Sequence, residues 1–351
     1  MADISHLIEP TFFHHLPEET QLNLNFFIIG AGGTGGYLIP NLVRQVALSN
    51  QLRKKQDALL HTITVIDGDD LESKNLIRQN FVMADIGKNK AEVMAQRYGR
   101  AFQQNVNYVK EYLSTPARFE ELINNTLDGN RPIAKQHVVI IDCTDNNKTR
   151  LMMKSTVADT NYNAVLLSSG NEEFAGQVVC SFRPRQPRRI DWDKNHSLQN
   201  HVWDIQTPDF FEMFPNTPID KMPGELSCAE ASVSSPQNIY TNMTAANILF
   251  GFVNKLLAGQ GISELAVFFD TTTAGQRVYR SKISDYKALL TLTPSNGSQS
   301  LYLFPRDVVM KSGVSASTPI SWSEVMEQDA INKAKATKQA QELLDAAIAA
   351  K

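Results

Sequence analysis

Short, uniformly apolar runs alternate along the chain with longer stretches of helical spacing. Residues 26–29 (FFII), 63–66 (ITVI) and 138–141 (VVII) are apolar at every position. That is the pattern of strands covered on both faces of a parallel sheet. Helical spacing follows the first run from Tyr37, returns over Lys90–Phe102, and again over 234–257. Gln177-Val178-Val179-Cys180 lies in a further apolar strand, and 265–270 and 276–280 read as two more strands. Strands alternating with helices predict an α/β fold: a Rossmann-like, doubly wound, mainly parallel sheet. Residues 321–351 stand apart. Ser321 with Glu324 fits an S-x-x-E helix start, and the Ala, Lys, Gln and Glu content favours a C-terminal helix, exposed or docked on a partner.

The ends of the apolar runs carry the chemistry. Gly30, Gly32, Gly33 and Gly35 follow the first strand and open the first helix. Glycines let the backbone approach phosphate oxygens, and a helix N-terminus supplies N–H groups and the positive end of a dipole. Asp67 ends the second strand, where a carboxylate accepts from ribose hydroxyls. It lies 32 residues beyond Gly35, against roughly 20 in the usual dinucleotide fingerprint. The excess is expected at 49–61, a polar, basic extension between helix and strand. Asn75, Arg78, Gln79, Lys88 and Lys90 come next. Three cations and two amides suit a triphosphate better than a nicotinamide. The third strand ends at Asp142-Cys143-Thr144-Asp145-Asn146. A carboxylate there would hold Mg2+ against phosphates, or Asp145 would cap the following helix; the two roles compete.

Composition narrows the class. Net charge is −3, from 34 basic and 37 acidic residues, which argues against nucleic acid as the main partner. No stretch of 18 apolar residues and no signal-peptide pattern appear. Three cysteines without framework spacing suggest a reducing cytoplasm.

Four motifs in order, GxGGxG at Gly30–Gly35, DxD with NLxRQ at Asp67, Asp69 and Asn75–Gln79, GxxK at Gly87–Lys90, and DxxDN at Asp142–Asn146 with Arg150, make the chain resemble the ThiF/MoeB/HesA family of adenylating enzymes, relatives of the ubiquitin-activating enzymes. The resemblance runs over about 24–182 and 226–280. It implies an adenylating domain over 1–320, an antiparallel extension of the sheet, a long crossover loop over about 183–227, and a helical tail over 321–351. It implies that Gly32, Gly33 and Gly35 shape the phosphate turn, that Asp67 holds ribose, and that Asn75, Arg78 and Lys90 contact ATP with Gln79 and Lys88 nearby. It also implies that Asp145 binds Mg2+. The reaction would be attack of the C-terminal carboxylate of a ubiquitin-like or sulphur-carrier protein, ending in Gly, on the α-phosphate. A Cys at the position of Cys228 takes a thioester in some members, and a thiolate near a helix N-terminus is activated. A homodimer and a conjugating-type partner are expected by the same resemblance.

Two departures qualify it. The chain has no CxxC pairs and so cannot build the four-thiolate zinc site of many relatives; no structural zinc is expected. Residues 1–43 hold neither Arg nor Lys, so an N-terminal Arg lent to a partner's site is missing or supplied elsewhere. The absence of zinc and of large extra domains leans toward the bacterial, plasmid or phage ThiF-like branch. Arg183, Arg185, Arg188 and Arg189 read either as contacts for an acidic patch on the carrier or as part of a disordered, solvated loop, and Trp192, Trp203, Phe210 and Phe211 lean toward exposure for a partner. Other readings are adenylation of a small molecule or modified tRNA, an NAD-binding oxidoreductase, and an inactive nucleotide-binding scaffold.

Overall fold

The computed structural model describes residues 13–14, 16, 23–158, 161–185, 201–202, 206–214, 217–220 and 238–282, with positions 327, 330 and 331 of the tail. Its strands are β1 (Phe13–His14), β2 (Asn23–Ile29), β3 (Thr62–Ile66), β4 (Asn107–Val109), β5 (Gln136–Asp142), β6 (Asn163–Asn171), β7 (Ala175–Arg183), β8 (His201–Val202), β9 (Glu264–Asp270) and β10 (Gly275–Arg280). Its helices are α1 (Gly33–Lys55), α2 (Lys90–Phe102), α3 (Pro116–Thr126), α4 (Asn147–Thr156), α5 (Phe210–Met213) and α6 (Ile239–Leu257).

Eight strands form one sheet in the order β4-β3-β2-β5-β6-β7-β9-β10, and β1 pairs with β8 in a small second sheet. From β4 to β6 every pairing is parallel; β6–β7, β7–β9 and β9–β10 are antiparallel. The chain moves outward from β2 through β3 to β4, then returns to the other side of β2 for β5 and β6. The reversal makes the carboxyl ends of β2 and β5 the switch point, where open α/β sheets place ligands.

Strand alternation explains why the apolar runs are unbroken. Leu24, Phe26 and Ile28 of β2, with Val139 and Ile141 of β5, face the helix layer of α1, α2 and α6. Phe27 and Ile29, with Val138 and Ile140, face α3 and α4 through Phe119, Ile123, Met152 and Met153. Both faces are buried, so a polar side chain on these strands is costly unless it finds a partner. No helix among the described residues is long and apolar enough to cross a membrane.

Three expectations are corrected. The polar stretch 49–61 is not an extension beyond the helix, because α1 runs on to Lys55. The connection then folds back: Asn50 Nδ2 donates to His61 O at 3.0 Å, and His61 N donates to Asn50 Oδ1 at 2.8 Å. Phe210 and Phe211 are buried rather than offered to a partner, packed edge to face at 5.4 Å. Arg183 is buried too, donating to Thr207 O at 2.6 Å and paired with Asp209 and Glu212. It clamps the segment 206–214 onto the sheet and so cannot meet an acidic carrier. Arg188, Arg189, Trp192, Trp203, Cys228 and nearly all of the tail lie outside the described residues.

Candidate active site

The glycine turn is built by close approach. Gly30 has φ +92°, in the left-handed region glycine favours. A Cβ on Gly35 would stand 2.0 Å from Gly30 O, so only glycine lets α1 start this near the strand end. Gly32, at the N-cap of α1, has no side chain to accept from the first N–H groups, and among the described residues they are left for another acceptor. Pro40, inside α1, cannot donate to the Gly36 carbonyl four residues back. Asn80 Nδ2 donates to that carbonyl instead, at 3.0 Å. This bond ties the residues after the NLxRQ motif to α1.

The segment from Asp67 to Lys90 closes on itself beneath the turn. Leu71 N donates to Lys88 O at 2.9 Å, and Lys90 N to Asp69 O at 3.0 Å. Asn89 caps α2 by accepting from Glu92 N at 3.2 Å, and its Nδ2 reaches Asp67 O at 2.9 Å and Asp69 O at 3.0 Å. Asp67 Oδ2 accepts the Ala31 N–H at 2.7 Å, which joins β3 directly to the glycine turn. Burial raises the Asp67 carboxyl above its ordinary value, with the Lys90 ammonium opposing. Lys90 Nζ bonds Asp69 Oδ2 at 2.6 Å with its own side chain only 7% exposed. Burial works to raise the Asp69 pKa too, but Lys90 and the Tyr112 hydroxyl hold it below the usual carboxylate range. Tyr112 lies over Gly68, where a Cβ would stand 2.7 Å from the ring, and its hydroxyl donates to Asp69.

The other expected residues are placed unequally. Gln79 is buried with Nε2 3.4 Å from where a Gly32 Cβ would be, and its Oε1 has no partner among the described residues. Asn75 is buried, accepting from Glu72 N at 2.9 Å. Arg78 is half-buried on the same loop. Lys88 is exposed, with Nζ on Ala84 O at 2.8 Å, on the outer side of the loop.

The DxxDN turn packs on the opposite side. A Cβ on Gly30 would stand 3.0 Å from Cys143 O and 3.2 Å from Thr144 Cγ2. Asp142 is engaged throughout: Oδ2 accepts from Arg150 Nε at 2.8 Å and Ser168 at 3.1 Å, Oδ1 from the Thr144 N–H and hydroxyl. Arg150 also donates to Thr144 O and Ser169 O, each at 2.6 Å, and stacks over Phe210 at 5.1 Å. Asn146, not Asp145, caps α4, accepting from Thr149 N at 2.8 Å. Asp145 is exposed at the turn. Of the two competing roles read for Asp145, the cap belongs to its neighbour.

Two asparagines at the turn were not expected from sequence: half-buried Asn171 and buried Asn242, joined at 2.6 Å. Asn242 carried a signal. It occupies the buried stripe of α6, with Ala245, Ala246, Leu249 and Val253, where helical period predicts an apolar residue.

A glycine turn at the switch point, faced by a buried lysine and a strand-end carboxylate, defines a nucleotide-binding α/β protein. The ThiF family model matches residues 7–294, and the chain belongs to the ThiF family. No curated relative matches the chain. Among solved structures it is similar to PaaA, with 19% identity and a TM-score of 0.45 over 73% of this chain and 63% of that one. It is also similar to E. coli MccB solved with ATP (14%, TM-score 0.45, 73% and 63%) and with MccA-N7isoASN (14%, TM-score 0.45, 73% and 64%). The chain thus spans somewhat under two thirds of the length of these solved chains.

Proposed function

We propose that this protein uses ATP and Mg2+ to adenylate the C-terminal carboxylate of a ubiquitin-like or sulphur-carrier protein ending in Gly. The observation that carries the reading is the meeting of the motif segments around one uncapped helix start: Asp67 on Ala31, buried Lys90 on Asp69, Gln79 beside Gly32, and the Asp145 turn on Gly30. A dinucleotide site needs the glycines and Asp67 but has no use for a buried ammonium beside them.

In the reaction, a carboxylate oxygen bonds to the α-phosphorus and the bond to the β-phosphate oxygen breaks. Pyrophosphate leaves and an acyl-adenylate remains. Such a step needs positioning and charge neutralisation more than covalent help from the protein. The α1 N-terminus and Lys90 fit that need, with Arg78 and Asn75 on the same loop. Lys90 exchanges Asp69 for phosphate oxygen, and until then the Asp69 carboxylate holds its side chain in place.

Magnesium takes one or two carboxylates together with phosphate oxygens and water. Asp145 suits that as a single exposed carboxylate beside the turn, whereas Asp142 is already saturated by Arg150, Ser168 and Thr144. Bound there, the ion would neutralise phosphate charge.

A second step would use Cys228: its thiolate attacks the acyl carbon and AMP leaves. Support comes from the other two thiols. Burial pushes both Cys143 and Cys180 well above the ordinary thiol value, which makes them poor nucleophiles. A homodimer and a conjugating-type partner belong to the same reading.

The test is carrier-dependent exchange of labelled pyrophosphate into ATP. Wild type should exchange. Lys90→Met, which removes the buried cation, should be slower by about a hundredfold. Equal exchange in the two would sink the assignment of Lys90.

A further inference from the structure

The N-terminus of α1 has a neighbour outside the four motifs. Asn242, in the first turn of α6, is 1% exposed, and a Cβ on Gly33 would stand 2.5 Å from its Nδ2. The amide is oriented from its other side. Asn171, at the end of β6, donates from Nδ2 to Asn242 Oδ1 at 2.6 Å, and Thr34 Oγ1 donates to Asn171 Oδ1 at 3.3 Å. With Oδ1 engaged there, Asn242 Nδ2 is turned to Gly33, where it has no acceptor among the described residues. Buried side-chain donors nearly always have partners, because an orphaned one is costly. Here the orphan sits against a helix start that itself lacks a side-chain cap. Both features call for the same thing, an anionic oxygen over Gly33.

We infer that Asn242 is an oxyanion-binding residue: its Nδ2 donates to a phosphoryl oxygen of a polyphosphate seated on the α1 N-terminus, and Asn171 is the positioning residue that aims it. The inference rests on the nucleotide-binding reading above and adds to it a donor from the far side of the chain. Asn171 and Thr34 form a relay with a direction. Only an asparagine at 171 both accepts from Thr34 and donates to Asn242. An aspartate there would accept from the Asn242 amide, so the amide would turn over and aim its oxygen at the bound anion.

The experiment is equilibrium binding of ATP and of inorganic tripolyphosphate to the full chain. Wild type is compared with Asn242→Ala and Asn171→Asp, and thermal unfolding of each is followed in parallel. Asn242→Ala should weaken both ligands about tenfold, the value of one hydrogen bond to a charged group. Asn171→Asp should weaken them at least as much, although it removes no volume from the α1–α6 contact. If Asn242→Ala fails to fold, Asn171→Asp carries the test. A merely structural pair would lower the unfolding temperature and leave both affinities at the wild-type value, and that result overturns the inference while ATP binding stands. Wild type binding tripolyphosphate but not ATP, with loss in both variants, would keep the inference and remove the adenylation reading. Wild type binding neither ligand would remove both.

Discussion

Asp142 and Asp145 stand three residues apart in one turn and are expected to behave oppositely. Asp142 is 1% exposed and holds Arg150, which in turn holds the carbonyls of Thr144 and Ser169. Asp142→Ala leaves a buried guanidinium without its counter-ion, so stability should fall by about 3–5 kcal/mol. Asp145→Ala, at an exposed position, should change stability by no more than about 0.5 kcal/mol yet abolish magnesium-dependent turnover. Urea unfolding and pyrophosphate exchange on the same two variants separate the roles. If Asp145→Ala unfolds as readily as Asp142→Ala, its place in the turn is structural after all. Sequence showed two carboxylates at a strand end but not which was buried and which exposed. That depends on Arg150 and Ser168, which approach only when α4 and β6 are packed.

Among the elements, the site depends on how closely α1 starts to β2, and the sheet beside it on how the segment 206–214 is held. Gly35→Ala places a methyl carbon 2.0 Å from the Gly30 carbonyl. It should lose ATP binding and much of its stability, since backbone on both sides blocks any small adjustment. A Gly35→Ala protein that binds ATP as wild type would contradict the close approach. Arg183→Ala should cost about 3–5 kcal/mol, because it removes the guanidinium that faces two buried carboxylates, Asp209 and Glu212. Denaturant unfolding measures it, and a shift below about 1 kcal/mol would mean the cluster is not needed.

The glycine turn, Asp67 and Asp142 were legible in sequence because each sits where an apolar run ends, at the carboxyl end of a parallel strand, whereas Lys90 opens α2 after a polar stretch and stood out only by its motif spacing. The length of α1 was not. Residues 49–55 are polar and basic, but on a helix such residues simply face solvent while Asn50 turns back to His61. Nor was the burial of Arg183, Phe210 and Phe211 legible. A Pro- and Arg-rich stretch reads as solvated, and only the facing carboxylates of Asp209 and Glu212 and the α4 cations Arg150 and Lys154 over the two rings reverse that.

For the whole molecule, two histidines in the parallel sheet region set the response to acid. His61 accepts the Leu24 N–H at 3.0 Å, and burial, aided by Arg53, lowers its pKa to about 3. His137, fully buried in β5, is lowered by burial to about 4. The unfolded chain takes up a proton on each ring near pH 6.5, whereas the folded protein takes up neither until well below pH 5. Their contribution is therefore present in full above pH 6.5 and is lost as pH falls toward 4. The slope is up to about 1.4 kcal/mol per pH unit for each ring. Urea unfolding at pH 7 and pH 5 should show the loss, and a flat stability over that window would contradict the neutral, buried state of both rings.

The measurement that tests the central claim most directly is intact mass spectrometry of this protein with ATP, Mg2+ and candidate carriers ending in Gly-Gly. The account predicts a carrier that gains one adenylyl group. With Cys228 as nucleophile, it also predicts a carrier-sized, thiol-labile adduct on the protein that is lost in Cys228→Ala. A carrier-adenylate without the protein adduct would remove the thioester step and keep the enzyme. No adenylylated carrier of any kind, in a protein that binds NADH instead, would contradict the account.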